Sequence, residues 1–94
     1  MIKSFYDKET EKLYITGKTA RFPNSIIKAS LRKLDYLNAA VSLNDLTVPP
    51  GNRLETLKGD LKGKYSIRIN DQYRIIFKFE KSNAYEVEIS DYHK

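Results

Sequence analysis

The chain has 94 residues, 17 Lys and Arg against 12 Asp and Glu, a formal charge of +5, one His and no Cys. That length supports one modest core and one working surface, so a single domain spanning residues 1–94 is expected. Without cysteine there is no disulfide framework or thiolate metal centre, and one histidine cannot build a zinc cluster, so neither a metal nor another cofactor is expected.

The N-terminal stretch MIKSFYDKET has one short apolar patch, which fits neither a secretory signal nor a membrane span and predicts a cytoplasmic protein away from membranes. Ile2 to Phe5 reads as a short strand. Asp7 can then cap a helix with Glu9 and Glu11 in its first turn, where the helix dipole favours acids, and a stripe of Thr10, Leu13 and Tyr14 ahead of Gly17. Pro23 suits a second helix start, and Ile27, Leu31, Leu34, Leu37 and Val41 recur at helical spacing behind it. Lys28, Arg32 and Asp35 fall on the opposite, solvated side. The cluster from Val48 to Asn52 reads as a loop.

Beyond the loop the period changes to two. Tyr65, Ile67 and Ile69, then Tyr73, Ile75, Phe77 and Phe79, then Tyr85, Val87 and Ile89 alternate with polar neighbours, which predicts three consecutive antiparallel strands. Two helices followed by a meander give an α+β fold, with the helices packed on one face of a small antiparallel sheet.

Charge is concentrated in this half. Arg53 to Lys78 holds seven bases and three acids, whereas residues 79–94 are net negative, so the surplus forms a patch suited to an anionic partner. Residues opposed in an antiparallel pair share a face, so pairing Ile69 with Tyr73, Ile67 with Ile75 and Tyr65 with Phe77 fixes the register. It leaves Asn70, Asp71 and Gln72 as the turn. Arg68 then opposes Arg74, and Lys64 opposes Lys78, on the face away from the core. Like charges in such positions cost roughly 0.2–1 kcal/mol per pair. A phosphodiester between the two arginines would convert that repulsion into charge-assisted hydrogen bonds; a plain solvated face with acidic neighbours such as Glu88 is the alternative. In the next hairpin, pairing Phe79 with Tyr85 and Phe77 with Val87 sets Glu86 against Lys78 as an ordinary ion pair. Arg74 then faces only Ser90 and stays available. After the last strand come Asp91, Tyr92 and His93, a carboxylate, an aromatic hydroxyl and an imidazole able to orient, stack and move protons. Strict alternation places Tyr92 with the arginines and Asp91 and His93 on the other side.

The stretch RLETLKGDLKGKYSIRINDQYRIIFKF, the opening MIKSF and the closing DYH resemble the HigB branch of the RelE/ParE toxins, and the resemblance covers essentially the whole chain. It implies two helices on a curved antiparallel sheet whose other face takes RNA. It implies metal-independent cleavage of messenger RNA on the ribosome, the RNA's own 2′-hydroxyl attacking the adjacent phosphorus. It also implies a HigA-like helix-turn-helix antitoxin through which alone operator DNA is contacted. Carried over by position, Arg68 and Arg74 would grip the phosphate. Lys58 would support it, with Lys62 and Lys64 as further RNA contacts, and Asp91, Tyr92 and His93 would align the nucleotide and move protons. Many relatives have histidine where Glu55 stands, so Glu55 is expected to act as general base and His93 as acid. Two alternatives stand beside this reading: a ParE-like inhibitor of DNA gyrase and a non-catalytic RNA- or ribosome-binding module.

Overall fold

The computed structural model describes residues 1–91. Helix α1 spans Lys8–Thr16 and α2 spans Asn24–Ala39; strands β1 (Glu55–Thr56), β2 (Tyr65–Arg68), β3 (Tyr73–Glu80) and β4 (Asn83–Asp91) form one antiparallel sheet in that order. The α+β arrangement matches the expectation, with a two-residue strand, β1, added at the edge. Short 3-10 turns at Leu43–Thr47, Pro50–Asn52 and Gly59–Leu61 fill the connection after α2, part of which the Val48–Asn52 cluster marks as loop.

α1 follows its capping chemistry. The Asp7 carboxylate accepts the Thr10 N–H at 3.2 Å, and Gly17, left-handed at φ 74°, donates its N–H to the Leu13 carbonyl at 2.8 Å. α2 begins after Pro23, but its buried side is Ile26, Ser30, Lys33, Leu34 and Leu37, a rotation of about one residue from the predicted stripe. Ile27 and Leu31 flank the core, and Val41, 68% exposed, lies beyond the helix end. Lys33 lies on that buried side as well, 6% exposed. Its ammonium donates to Asn52 Oδ1 and sits over the Tyr36 ring, while Asn52 Nδ2 donates to the carbonyls of Leu46 and Val48. This buried pair fastens the 3-10 turns to α2.

The predicted N-terminal strand is instead two isolated parallel bridges, Ile2 to Ala84 and Phe5 to Val87, along the outer edge of β4. Lys3 and Tyr6 donate N–H groups to Ala84 and Val87, and Met1 and Ser4 carbonyls accept in return. Further along the same edge the Thr10 hydroxyl accepts the Ile89 N–H at 3.1 Å. An edge that could otherwise recruit another chain is thus closed by the protein's own first residues. Between sheet and helices the core gathers Leu13, Ile26, Leu34, Leu37, Ile67, Ile75, Phe77, Val87 and Ile89. Among the described residues no helix is long and apolar enough to cross a membrane.

Removing Asn52 strands the buried Lys33 ammonium and two carbonyls, so Asn52→Ala should lower the unfolding free energy in urea by about 2–3 kcal/mol. Burial, with the Arg32 and Arg68 charges adding to it, holds the Lys33 ammonium below its usual range. The folded state therefore loses that proton before the unfolded chain does. The resulting penalty is fully present below the folded pKa and fades as pH climbs from there toward 10.5. Measured against a Lys33→Met variant, the wild type should gain in relative stability across that alkaline window; a difference independent of pH would contradict it.

Candidate nucleic-acid interface

The register Tyr65 to Phe77, Ser66 to Ile76, Ile67 to Ile75 and Arg68 to Arg74 is the predicted one. The Asn70 side chain closes the turn by accepting the N–H groups of Gln72 and Tyr73. Both arginines consequently stand on the face away from the helices. They differ sharply in freedom. Arg74 is only 6% exposed: Nε donates to Ser66 Oγ at 2.8 Å, Nη2 to the Arg53 carbonyl at 2.6 Å, and Nη2 lies 3.8 Å from the Glu55 carboxylate. The expectation that Arg74 stays available is corrected by this burial. What covers it is backbone that alternation does not reveal: after the Pro50–Asn52 turn Arg53 adopts a left-handed conformation, φ 45°, and β1 pairs Glu55 with Ser66. Arg68 is partly exposed, and its guanidinium meets the open-lying Asp71 carboxylate.

Glu55 is half exposed beside this pair and forms an ion pair with Arg74. Lys58 and Lys62 are exposed at the two ends of the Gly59–Leu61 turn. Leu57 and Ile76 are buried on this second face, outside the main core cluster, and give it an apolar floor of its own.

The second hairpin departs from prediction. Lys81 and Ser82 both have positive φ, the conformation of a tight two-residue turn, which pairs Glu80 with Asn83, Phe79 with Ala84 and Lys78 with Tyr85. Phe79 therefore does not pair with Tyr85. From Ile76–Glu88 onward the register shifts by one, so β4 carries an extra residue as a bulge, with Glu86 at φ 52°. Arg74 still faces Ser90, as predicted. The Lys78–Glu86 ion pair also exists, at 3.2 Å, through the bulge. Lys64 precedes β2, so it does not oppose Lys78 in the ladder; its ammonium reaches the same carboxylate at 3.4 Å and lies 5.0 Å from the centre of the Tyr6 ring. Hydrogen bonds from Lys78 and Lys64 hold the Glu86 carboxyl below its usual range, while burial pushes the Glu88 carboxyl up.

Asp91 ends β4 opposite Tyr73, on the helix side as predicted, and accepts a hydrogen bond from Gln72 Nε2 at 3.0 Å. It borders a cleft of about 250 Å3 between the end of β4 and Arg21 and Phe22 of the interhelix connection. Tyr92 and His93 lie outside the described residues. Glu55, Ser66, Arg68 and Arg74 are therefore gathered on the open face, while Asp91 is not. Among the described residues no cluster of three or more His, Cys, Asp or Glu is placed to hold a metal ion.

The sequence matches the family model for the RelE-like toxin of type II toxin-antitoxin system HigB over residues 3–93. It is 50% identical over 80 residues to Toxin HigB-1 of Vibrio cholerae, covering 84% of each chain. It is 32% identical over 93 residues to Endoribonuclease HigB of Proteus vulgaris, covering 99% of this chain and 100% of that one. In fold it is similar to a chain of the Staphylococcus aureus YoeB-YefM toxin-antitoxin heterotetramer, with a TM-score of 0.62, 19% identity, and 100% and 99% of the two chains covered.

Because Arg74 holds buried acceptors together, Arg74→Ala should cost about 2–3 kcal/mol of stability. Arg68→Ala breaks only a surface pair and should stay within about 1 kcal/mol of wild type. Equilibrium denaturation of both variants checks the contrast, and equal losses would contradict it.

Proposed function

The chain belongs to the HigB-like family of RelE-like toxins of type II toxin-antitoxin systems, and from that premise we propose that it is an endoribonuclease that cleaves messenger RNA on the ribosome, in the cytoplasm. The observation that carries the reading is the juxtaposition on one open face of a partly exposed Arg68, an anchored Arg74 and the half-exposed Glu55 carboxylate. Its chemistry needs no metal. The 2′-hydroxyl attacks the adjacent phosphorus, a new O2′–P bond forms as the P–O5′ bond breaks, and the products are a 2′,3′-cyclic phosphate and a 5′-hydroxyl. Glu55 takes the 2′-hydroxyl proton and His93 returns one to the departing 5′-oxygen.

Arg68 exchanges the exposed Asp71 for the phosphate and stabilises the charge that grows on it. Arg74 fixes Glu55 near that phosphate and adds positive potential from beneath. Lys58, Lys62 and Lys64 steer the anionic strand toward the face. Asp91, at the exit of β4, orients the chain end that carries Tyr92 and His93, and Tyr92 stacks on a base. A HigA-like antitoxin with a helix-turn-helix domain restrains the toxin and alone contacts operator DNA; the similarity to a toxin solved with its antitoxin supports a partner of this class.

Arg68→Ala should lower the cleavage rate by about 10²–10³ with the fold intact. His93→Gln should lower it by about 10²–10⁴. Sequencing of messenger RNA 5′ ends after brief induction should show cuts in phase with codons, absent in both variants. Unphased cuts would remove the ribosome from the reading, and no new 5′ ends would remove the nuclease.

A further inference from the structure

Glu86 is the anomalous residue of the open face. Its backbone is left-handed at φ 52°, a strained conformation for a non-glycine residue, and its N–H donates to Ser4 Oγ at 2.9 Å. That posture places one carboxylate oxygen 3.4 Å from Lys64 Nζ and the other 3.2 Å from Lys78 Nζ. Two ammonium groups so close repel unless an anion lies between them. A carboxylate with one oxygen on each has the same donor demand as the two non-bridging oxygens of a phosphodiester.

Beside this arrangement stands Tyr6. The Phe5–Val87 bridge turns Phe5 into the core and leaves Tyr6 facing out, 62% exposed, with the Lys64 ammonium against its ring. Lys64 itself is sunk into the face, its side chain 12% exposed, so the cation that flanks the ring is held in place. An exposed aromatic ring next to a pair of fixed cations is the combination by which single strands are bound, base on ring and phosphate on cation.

We propose that Lys64, Lys78 and Tyr6 form a nucleotide subsite for single-stranded RNA, distinct from the Arg68–Arg74 pair, with Glu86 occupying the phosphate position until RNA displaces it. The proposal rests on the reading of the substrate as RNA. Lys78 lies four residues beyond Arg74 on β3, about 13 Å at strand rise, so the two sites hold different phosphates of one strand. Glu86 keeps the lysines assembled in the free protein and lowers their affinity for polyanions in general. Tyr6 restores affinity only for a ligand that brings a base with its phosphate. Stacking of this kind tolerates every base, so the subsite selects single-stranded character over sequence.

The test is binding of a labelled 2′-O-methyl oligoribonucleotide, which lacks the attacking hydroxyl, to the full chain over a range of salt, by fluorescence anisotropy. Tyr6→Ala should weaken binding about tenfold without changing the salt dependence, and Tyr6→Phe should bind as wild type. Lys64→Ala with Lys78→Ala should weaken binding and flatten the log–log salt slope by about 0.7, one phosphate's worth. Glu86→Gln should tighten binding several-fold. With the unaltered protein, an oligonucleotide lacking one base should lose about tenfold at a second position besides the one on which Tyr92 stacks, a readout independent of how the variants fold. Glu86→Gln binding no tighter, no second position sensitive to a missing base, or no binding by wild type would each overturn the subsite. Unmodified messenger RNA carried on translating ribosomes and assayed in parallel separates the two readings. The predicted binding pattern without cleavage defeats the nuclease alone, and cleavage without the binding pattern defeats the subsite alone.

Discussion

A guanidinium taken out of water must find acceptors, and Arg74 draws the architecture of the open face together in doing so. Among its partners are the Ser66 hydroxyl on β2, the Arg53 carbonyl after the 3-10 turn, and the Glu55 carboxylate on β1. Leaving such a charge unpaired would cost several kcal/mol, enough to dictate where the long connection after α2 must lie. The left-handed turn at Arg53 is understandable in these terms, since it aims a carbonyl at the guanidinium and starts β1 in the register that sets Glu55 opposite Ser66. Lys33 makes the same demand on the far side of that connection. Its buried ammonium holds Asn52, and Asn52 holds the carbonyls of Leu46 and Val48. Two buried cations thus position a segment that has little regular structure.

The consequence for electrostatics is a division of labour between residues that look equivalent in one dimension. Arg68 and Arg74 oppose each other in the ladder, yet one is fixed among internal acceptors and the other rests against a surface carboxylate. Their repulsion is reduced because each has its own counter-charge, Asp71 for Arg68 and Glu55 for Arg74. An exposed pair is weak and exchangeable; a buried one is neither. The mobile half of the arrangement is therefore the one able to trade its partner for another anion.

Much of this was legible in the sequence. Period-two alternation around a short polar turn located β2 and β3 and their register, because slipping by one residue would have put Tyr65, Ile67 and Ile75 in water. Asp7 and Gly17 delimited α1 through capping chemistry that needs no tertiary context. The errors have a common physical origin in backbone conformations that side-chain patterns do not encode. Alternation assumes one residue per rung, so the bulge at Glu86 and the positive-φ turn at Lys81 and Ser82 shifted the last register unseen. Helical spacing assumes an apolar face, so a buried Lys33 rotated α2 away from its predicted stripe. Arg74 read as exposed because its cover is made by β1, two residues long and without alternation of its own.

The N-terminal segment shows how such an omission propagates into chemistry. Read as a strand, Ile2 to Phe5 carries no information about which side of β4 it joins or in which direction. Joined in parallel at the outer edge, it closes that edge, sends Phe5 to the core and brings Ser4 and Tyr6 to the bulge. Ser4 then supplies the acceptor that a left-handed Glu86 requires, and the Glu86 carboxylate in turn holds two lysines, one just ahead of β2 and one on β3, that are not paired with each other. Remove the parallel pairing and the bulge loses its support, the carboxylate its aim, and the lysines their common counter-ion. The far end of the sheet is organised by a strained backbone as the near end is organised by a buried charge, and in both cases the polar face is shaped by the need to satisfy groups that the apolar core leaves unmet.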